Sequence, residues 1–494
     1  MGSFPSVEQD FRRRVSLIPG LGLGLSVDVY SPDLFELMSR FAGEESSPGY
    51  LEIFRATVPA LKTVRRHFPA SRLTYHGEGL WVTQPEFSGT PFVKEELNEV
   101  ARQLAVIQSP WLNHECATKQ MAGYSFGTYL PPLCTAESAR VVADNIALVQ
   151  ETLDGAYRQR QSCGPLFLLE LPPLTYFSAG TISVPHFFRT VADLVPCGLV
   201  LDIGHLWTVY RYTSVRRDLP LDRFVERFLE EFPLERVVEI HVAGLACHES
   251  DGPVRQDDAA PEWIDAHAAP IRPVSLEMLE QVLAHPRLVQ LRGVALEVDT
   301  KPVPRIVEEF RAAAKRFGPM IERKTAECAA HTGTLTRSAT HRIERRHASD
   351  IDRQRLQDAY VRYARIASGQ QPPAGPEWQG VAEDSTGLDR YRRHYLPHEI
   401  LHWGGEVTQM FPDSCRALAD AGVPLDGLVA WWFQKARPID QPYDFFLLKI
   451  ERVLAFVGER APALLALAER EAGALRRAYA EASDTVEPSP EPVR

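Results

Sequence analysis

Several short apolar runs in this chain end on a residue that can hold a proton or a metal. Leu199-Val-Leu-Asp202 stops on a carboxylate, and His205 follows three residues later. Leu166-Phe-Leu-Leu-Glu170, Val237-Val-Glu-Ile-His241 and Val294-Ala-Leu-Glu297 repeat the pattern, and Asp265-Ala-His267 adds another carboxylate–imidazole pair. Imidazole nitrogen and carboxylate oxygen suit Fe, Mn, Zn or Co. The metal-free alternative is a set of polar groups satisfied by hydrogen bonds and used for acid–base work. Crowded carboxylates repel one another and raise their own pKa values, which a bound cation relieves.

Such groups must be brought together by the elements that carry them. Between residues 21 and 320, apolar runs alternate with amphipathic helical stretches. The runs are 21–27, 50–54, 72–76, 111–114, 166–170, 198–202, 237–243 and 294–298. Nearly continuous apolar strands fit a parallel sheet covered on both faces, and eight strand–helix units predict a (β/α)8 TIM-type barrel. A doubly wound open sheet is the alternative, but none of the units opens with GxGxxG. In a barrel the C-terminal strand ends meet on one face. That face would gather Glu52, His76, His114, Glu170, Asp202, His205, His241 and Glu297, with Asp265 and His267 from the loop after the seventh run.

The sequence divides into a barrel over 1–321, a linker over 322–349, a mostly α-helical domain over 350–482 and a polar, Pro-rich tail over 483–494 expected to be disordered. Helices are expected at 352–368, 389–421, 426–433, 441–457 and 460–481. His398 and His402, spaced i, i+4, read as packing or partner residues before metal ligands. The 494 residues carry a formal net charge of -11, which argues against nucleic acid as a partner. No apolar run reaches membrane-spanning length, and the N-terminus lacks the apolar core of a signal peptide. Seven scattered cysteines without a CxxC suit a reducing cytoplasm.

The motifs also carry a family resemblance. Leu23-Gly-Leu, Leu51-Glu-Ile, His76-Gly-Glu-Gly-Leu80, Asn113-His114, Glu170 with Tyr176, Leu201-Asp-Ile-Gly-His205, Glu239-Ile-His-Val-Ala-Gly244, Asp265-Ala-His267 and Glu297 resemble, in order and spacing, the multinuclear non-haem iron-dependent oxidative enzymes. The founding member of that family takes part in making the methanobactin copper chelator. The resemblance implies two or three irons (Fe2+/Fe3+), dioxygen as co-substrate and oxidation of a ribosomally made precursor peptide, frequently at cysteine. It implies His76, His114, Glu170, Asp202, His205, His241, Asp265, His267 and Glu297 as metal ligands, with Glu170, Asp202 and His241 at the catalytic centre.

This chain departs from the pattern at three places. Asn113 stands where the family has an acid, Leu171 where it has an Asn, and His205 where it has the second Asn of its LDxNN motif. The first two departures would weaken an iron position, while His205 could supply a different ligand. Asp-x-x-His also looks like the wider barrel superfamily of sugar isomerases and endonuclease-IV-type hydrolases, which is the competing reading. A barrel that binds peptide and has lost its chemistry is a third.

Residues 350–480 resemble the family's small helical partner protein, through Glu406-Val-Thr-Gln-Met-Phe-Pro412, Phe445-Phe-Leu and Ala466-Leu-Ala-Glu-Arg-Glu471. A fused peptide recruiter is thereby expected, acting on the barrel of its own chain or on that of a second copy in a homodimer. An unrelated oligomerisation domain is the alternative.

Overall fold

The computed structural model describes residues 6–42, 46–158, 163–173, 176–213, 219–246, 264–265, 267–331 and 347–484. Eight parallel strands close into a barrel: β1 (Gly22–Asp28), β2 (Leu51–Phe54), β3 (Leu73–His76), β4 (Trp111–Glu115), β7 (Leu166–Glu170), β8 (Gly198–Asp202), β9 (Val237–Val242) and β12 (Gly293–Glu297). Two short antiparallel pairs are inserted in the connections. One is β5 (Thr118–Met121) with β6 (Tyr124–Leu130), and the other is β10 (Leu245–Ala246) with β11 (Ile264–Asp265).

Register decides which side chains enter the lumen, because partners across a parallel pair share a face. Ser26 pairs with Glu52 and Glu297, Glu115 with Glu170, Asp202 with His241, and Glu239 with Gly293. The intervening residues, among them Leu25, Ile53, Leu169, Leu201, Ile240 and Leu296, face outward into the core between strands and helices. The lumen is therefore layered. Its floor is apolar, made by Tyr50, Trp111, Leu166, Leu168, Val200, Val238 and Ala295, with Phe11, Val15 and Ile18 of the N-terminal segment packed below. The helix Val7–Val15 closes that end, and buried Arg292 ties it down by donating to the carbonyls of Ile18 (2.8 Å) and Val15 (3.3 Å). The polar layer lies above, at the C-terminal strand ends.

Two expected boundaries move. The helix that begins at Val303 runs to His331, ten residues past the expected end of the barrel at 321, so the first part of the expected linker is helical. Its buried face includes Ile321, Thr325 and Cys328, and Cys328 packs in the barrel's outer core. Residues 332–346, with the basic stretch from Arg342, lie outside the described residues, as does the tail beyond Asp484. The stretch 389–421, expected as one helix, is broken into segments at 386–390, 391–395, 396–401, 407–410 and 412–420. Gly404 and Gly405 both take positive φ between the third and fourth segments, a conformation that ends a helix.

The C-terminal region packs on the barrel of its own chain. One apolar cluster joins Trp81, Tyr124, Phe126, Leu130, Tyr176 and Phe177 to Tyr360, Tyr363, Tyr391, Trp432, Phe445 and Phe456. The platform is the β5–β6 hairpin. Trp432 Nε1 donates to the Ser125 carbonyl at 2.8 Å, and the Arg437 N–H to that of Gly123 at 2.8 Å. Gly127 has φ +75, and a Cβ there would stand 2.5 Å from the Phe445 ring.

Candidate metal centre

His241 is the hub of the polar layer. Its Nδ1 stands 3.0 Å from Glu170 Oε1 and 3.1 Å from Glu297 Oε1, and its Nε2 stands 3.1 Å from Glu52 Oε1. None of these contacts has hydrogen-bond geometry: both ring nitrogens, Glu170 Oε1 and Glu297 Oε2 are buried without a hydrogen-bond partner. Donor atoms that lie close without hydrogen bonding leave room for ions between them, with Glu170 and Glu297 on the Nδ1 side of the ring and Glu52 on the Nε2 side. Four overlapping groups bring ligand-capable atoms within 4.8 Å of one another: His76, Glu170 and His241; Glu170, Asp202, His241 and Glu297; Glu52, Glu239 and His241; and Glu115, Glu170 and His205. Nitrogen and oxygen donors in overlapping sets, with buried carboxylate oxygens lacking partners, fit metal ions of the first transition series.

Neighbours fix several of these carboxylates. Asn113 Nδ2 donates to Glu170 Oε2 at 2.7 Å, and His76 Nε2 is 3.1 Å from the same oxygen. The Tyr50 hydroxyl donates to Glu239 Oε1 at 2.6 Å, and that of Ser26 to Glu52 Oε1 at 3.1 Å. Asp202 is the N-cap of a helix, Ile203–Tyr212, that starts directly after β8, and it accepts the His205 N–H at 2.5 Å. That helix was not expected. It sets His205 in a first helical turn beside the lumen, with Nδ1 against the Leu171 carbonyl.

Opposite charges in the layer hold one another's ionisation. Burial lowers the pKa of His241, but the carboxylates of Glu170, Glu52 and Glu297 outweigh it and hold the imidazole well above its usual value. Burial acts against His76 too, and Glu170 overcomes it to raise His76 to about 9. Glu170 is depressed well below the ordinary range, because His241 and His76 outweigh its burial. Burial and the charge of Glu52 raise Glu239 to about 8. The imidazolium charges of His76 and His241 offset part of the carboxylate charge.

Residues 20–317 match the family described as RiPP precursor modification enzyme MbnB/TglH/ChrH. The chain belongs to this family. Among its relatives is a UPF0276 protein of Vibrio parahaemolyticus, 25% identical over 236 residues, which are 48% of this chain and 70% of that one. Another is a UPF0276 protein of Psychromonas ingrahamii, 21% identical over 59% of this chain and 92% of that one. Solved structures with a similar chain course include endonuclease IV from Thermus thermophilus, at 18% identity with a TM-score of 0.35 over 61% of this chain and 99% of that one. A xylose isomerase domain protein from Planctomyces limnophilus has 13% identity and a TM-score of 0.37, over 62% of this chain and 100% of that one.

The expected ligands of this family member separate into four groups. His76, Glu170, Asp202, His205, His241 and Glu297 fall in the clusters. His267 lies at the rim, with Nε2 3.5 Å from Glu297 Oε2 and Nδ1 3.1 Å from Asp299 Oδ2. His114 departs from expectation. It follows a lumen-facing residue on β4, so the pleat turns it into the wall, where its Nε2 accepts the Leu80 N–H at 3.0 Å and its Nδ1 lies 3.0 Å from the Glu115 carbonyl. Burial lowers it to about 4, so it stays neutral in that role. The Asp265 backbone pairs with Leu245 in the β10–β11 ribbon, and its side chain lies outside the described residues.

Glu115 and Glu239 fall in the clusters although the sequence did not point to them, and Glu52 was placed on the face without a ligand role. For Glu239 the signal was the period of two from His241; for Glu115 it was hidden, because His114 was read as the lumen position of that strand. Cys116 is buried in the outer core rather than in the lumen, while Cys247 lies outside the described residues. His402 Nδ1 lies 3.1 Å from Glu406 Oε1 on the C-terminal region, with the His398 ring 5.3 Å away.

Proposed function

We propose that the protein is a non-haem iron oxidoreductase that uses dioxygen to oxidise a residue of a ribosomally synthesised precursor peptide, at cysteine. Two or three irons would be held by His76, Glu170, Asp202, His205, His241 and Glu297, with His267 at the rim and Asp265 included on its motif. The observation that carries this reading is the set of carboxylate and imidazole donors converging around His241, whose two ring nitrogens are buried without a hydrogen-bond partner, in a chain of a peptide-modifying family. Hard oxygen donors mixed with imidazole, with no thiol in the lumen among the described residues, suit iron and leave a position for a substrate sulfur. When bound, the irons would supply Lewis acidity and redox equivalents.

The chain's own groups orient and hold protons. The Asn113 amide and Tyr50 hydroxyl fix the faces that Glu170 and Glu239 present. The apolar floor keeps water from the underside of the layer. The C-terminal region, seated on the barrel, is proposed to recruit the peptide. A cleft of about 800 Å³ lies along its seam with the barrel, lined by Tyr176, Tyr212, Arg211, Glu377 and Arg390, and is large enough for a peptide segment.

The test is metal analysis and Mössbauer spectroscopy of protein grown on iron-57 and purified without oxygen, followed by exposure to oxygen with the precursor peptide. Two or more irons per chain and an oxygen-dependent change in peptide mass are expected. Zinc or manganese alone, with iron unable to restore activity, would instead indicate a divalent-metal isomerase or hydrolase.

A further inference from the structure

On β4 alternate residues face the lumen, and the carboxylate sits at 115, not at 113. Asn113 contributes a neutral amide that is spent on Glu170 Oε2. Glu115, two residues further on and directly paired with Glu170, is 6% exposed, and its Oε2 has no hydrogen-bond partner. Glu170 Oε1 is likewise without one. The third member arrives from another element: His205 is carried to the same corner by the helix that Asp202 caps. Ligand-capable atoms of Glu115, Glu170 and His205 lie within 4.8 Å of one another, all buried.

Two adjacent buried carboxylates with oxygens left unsatisfied are expensive unless a cation lies between them. Glu115 Oε2 is left with no hydrogen-bond partner to offset that cost.

We infer that Glu115, Glu170 and His205 would hold a metal ion of their own, suited to an iron-type divalent cation, with Glu170 common to this group and to those that include His241. The inference rests on the proposed iron-centred function and adds to it a ligand, Glu115, that the family pattern does not point to. The position compensates for the two departures at Asn113 and Leu171. A carboxylate displaced by two residues along one strand face reaches the same lumen corner one layer higher, and an imidazole at 205 replaces an amide donor. Two carboxylates and one imidazole leave coordination positions open, as a reactive rather than a structural site requires.

The test compares wild type, Glu115→Gln and His205→Asn, each reconstituted anaerobically with iron-57 and read by metal content and Mössbauer spectra. Each variant is expected to lose about one ion per chain and one spectral component while keeping the others. Thermal unfolding of the metal-free proteins supplies an independent readout. Glu115→Gln removes a buried titratable group and should not lower the apo Tm, so lost metal cannot be ascribed to misfolding. An unchanged ion count in both variants, with wild type holding two or three, overturns this site and leaves the proposed function standing. Loss of every ion in a variant that is folded by circular dichroism shows no separate position and also overturns it. Wild type that takes up no iron overturns both readings.

Discussion

At the level of single residues, the lumen holds protons. His76 and His241 are held protonated by Glu170, Glu52 and Glu297, and a metal must displace those protons because only the neutral imidazole coordinates. Metal titration in weak buffer is therefore expected to release protons, with affinity rising as pH climbs toward about 9, where His76 titrates. Calorimetry in buffers of different ionisation enthalpy measures the release. Replacing the hub, as in His241→Ala, is expected to abolish most metal uptake, because three of the four donor groups include it; elemental analysis checks this.

A second titration lies outside the lumen. Burial raises Glu399 to about 8 against the opposing charges of Lys119 and Lys449. Its folded pKa exceeds its unfolded value, so the folded state binds more protons between about pH 4.5 and 8, and stability falls as pH rises through that window. Glu399→Gln should flatten the dependence, by an amount on the order of a few kcal/mol at pH 8, as read from urea midpoints across pH.

At the level of elements, strand pleat and strand spacing set the chemistry. Gly24 and Gly293 lie in the lumen layers because the Tyr50 ring occupies the space their side chains would fill. A Cβ on Gly24 would fall 2.5 Å from that ring and 2.7 Å from the Tyr50 carbonyl oxygen. Gly24→Ala is thus expected to destabilise the protein by roughly 1–3 kcal/mol and to disturb the Tyr50–Glu239 hydrogen bond. Denaturation and metal content together would show both effects. The same pleat explains why His114 leaves the lumen while Asn113 and Glu115 enter it: neighbouring residues on a strand point to opposite faces.

Across the whole molecule, the C-terminal region completes the barrel rather than hanging from it. Glu78, in the loop after β3, has a side chain only 7% exposed and pairs with Arg55 at 2.8 Å and with Lys119 of β5 at 2.6 Å. Arg55 also donates to the Tyr443 carbonyl at 2.8 Å, which ties the barrel mouth to the C-terminal region. Glu78→Ala leaves Lys119 without its carboxylate and Arg55 with Asp444 alone, at 3.8 Å, and is expected to cost roughly 1–3 kcal/mol, measurable by chemical denaturation. A truncation after residue 331 would expose the apolar faces of Trp81, Tyr124, Phe126 and Phe177. It is expected to aggregate or bind a hydrophobic dye where the full chain does not.

The sequence by itself determined the barrel, the order of its strands and most of the lumen donors. Apolar runs of strand length, each ended by an ionisable residue, have few other ways to be buried, and the motif order matched one family. Tertiary structure alone decided which of two adjacent polar residues enters the lumen. That depends on register and closure, quantities that a run of residues does not carry, and so Glu115 and Glu239 emerged and His114 receded. It also decided that the helix after Asp202 begins at once, bringing His205 beside Glu170. The seat of the C-terminal region on the β5–β6 hairpin was likewise not legible. Its strands are short and stabilised by aromatic residues more than 200 positions away, a long-range contact that leaves no periodicity in the local sequence.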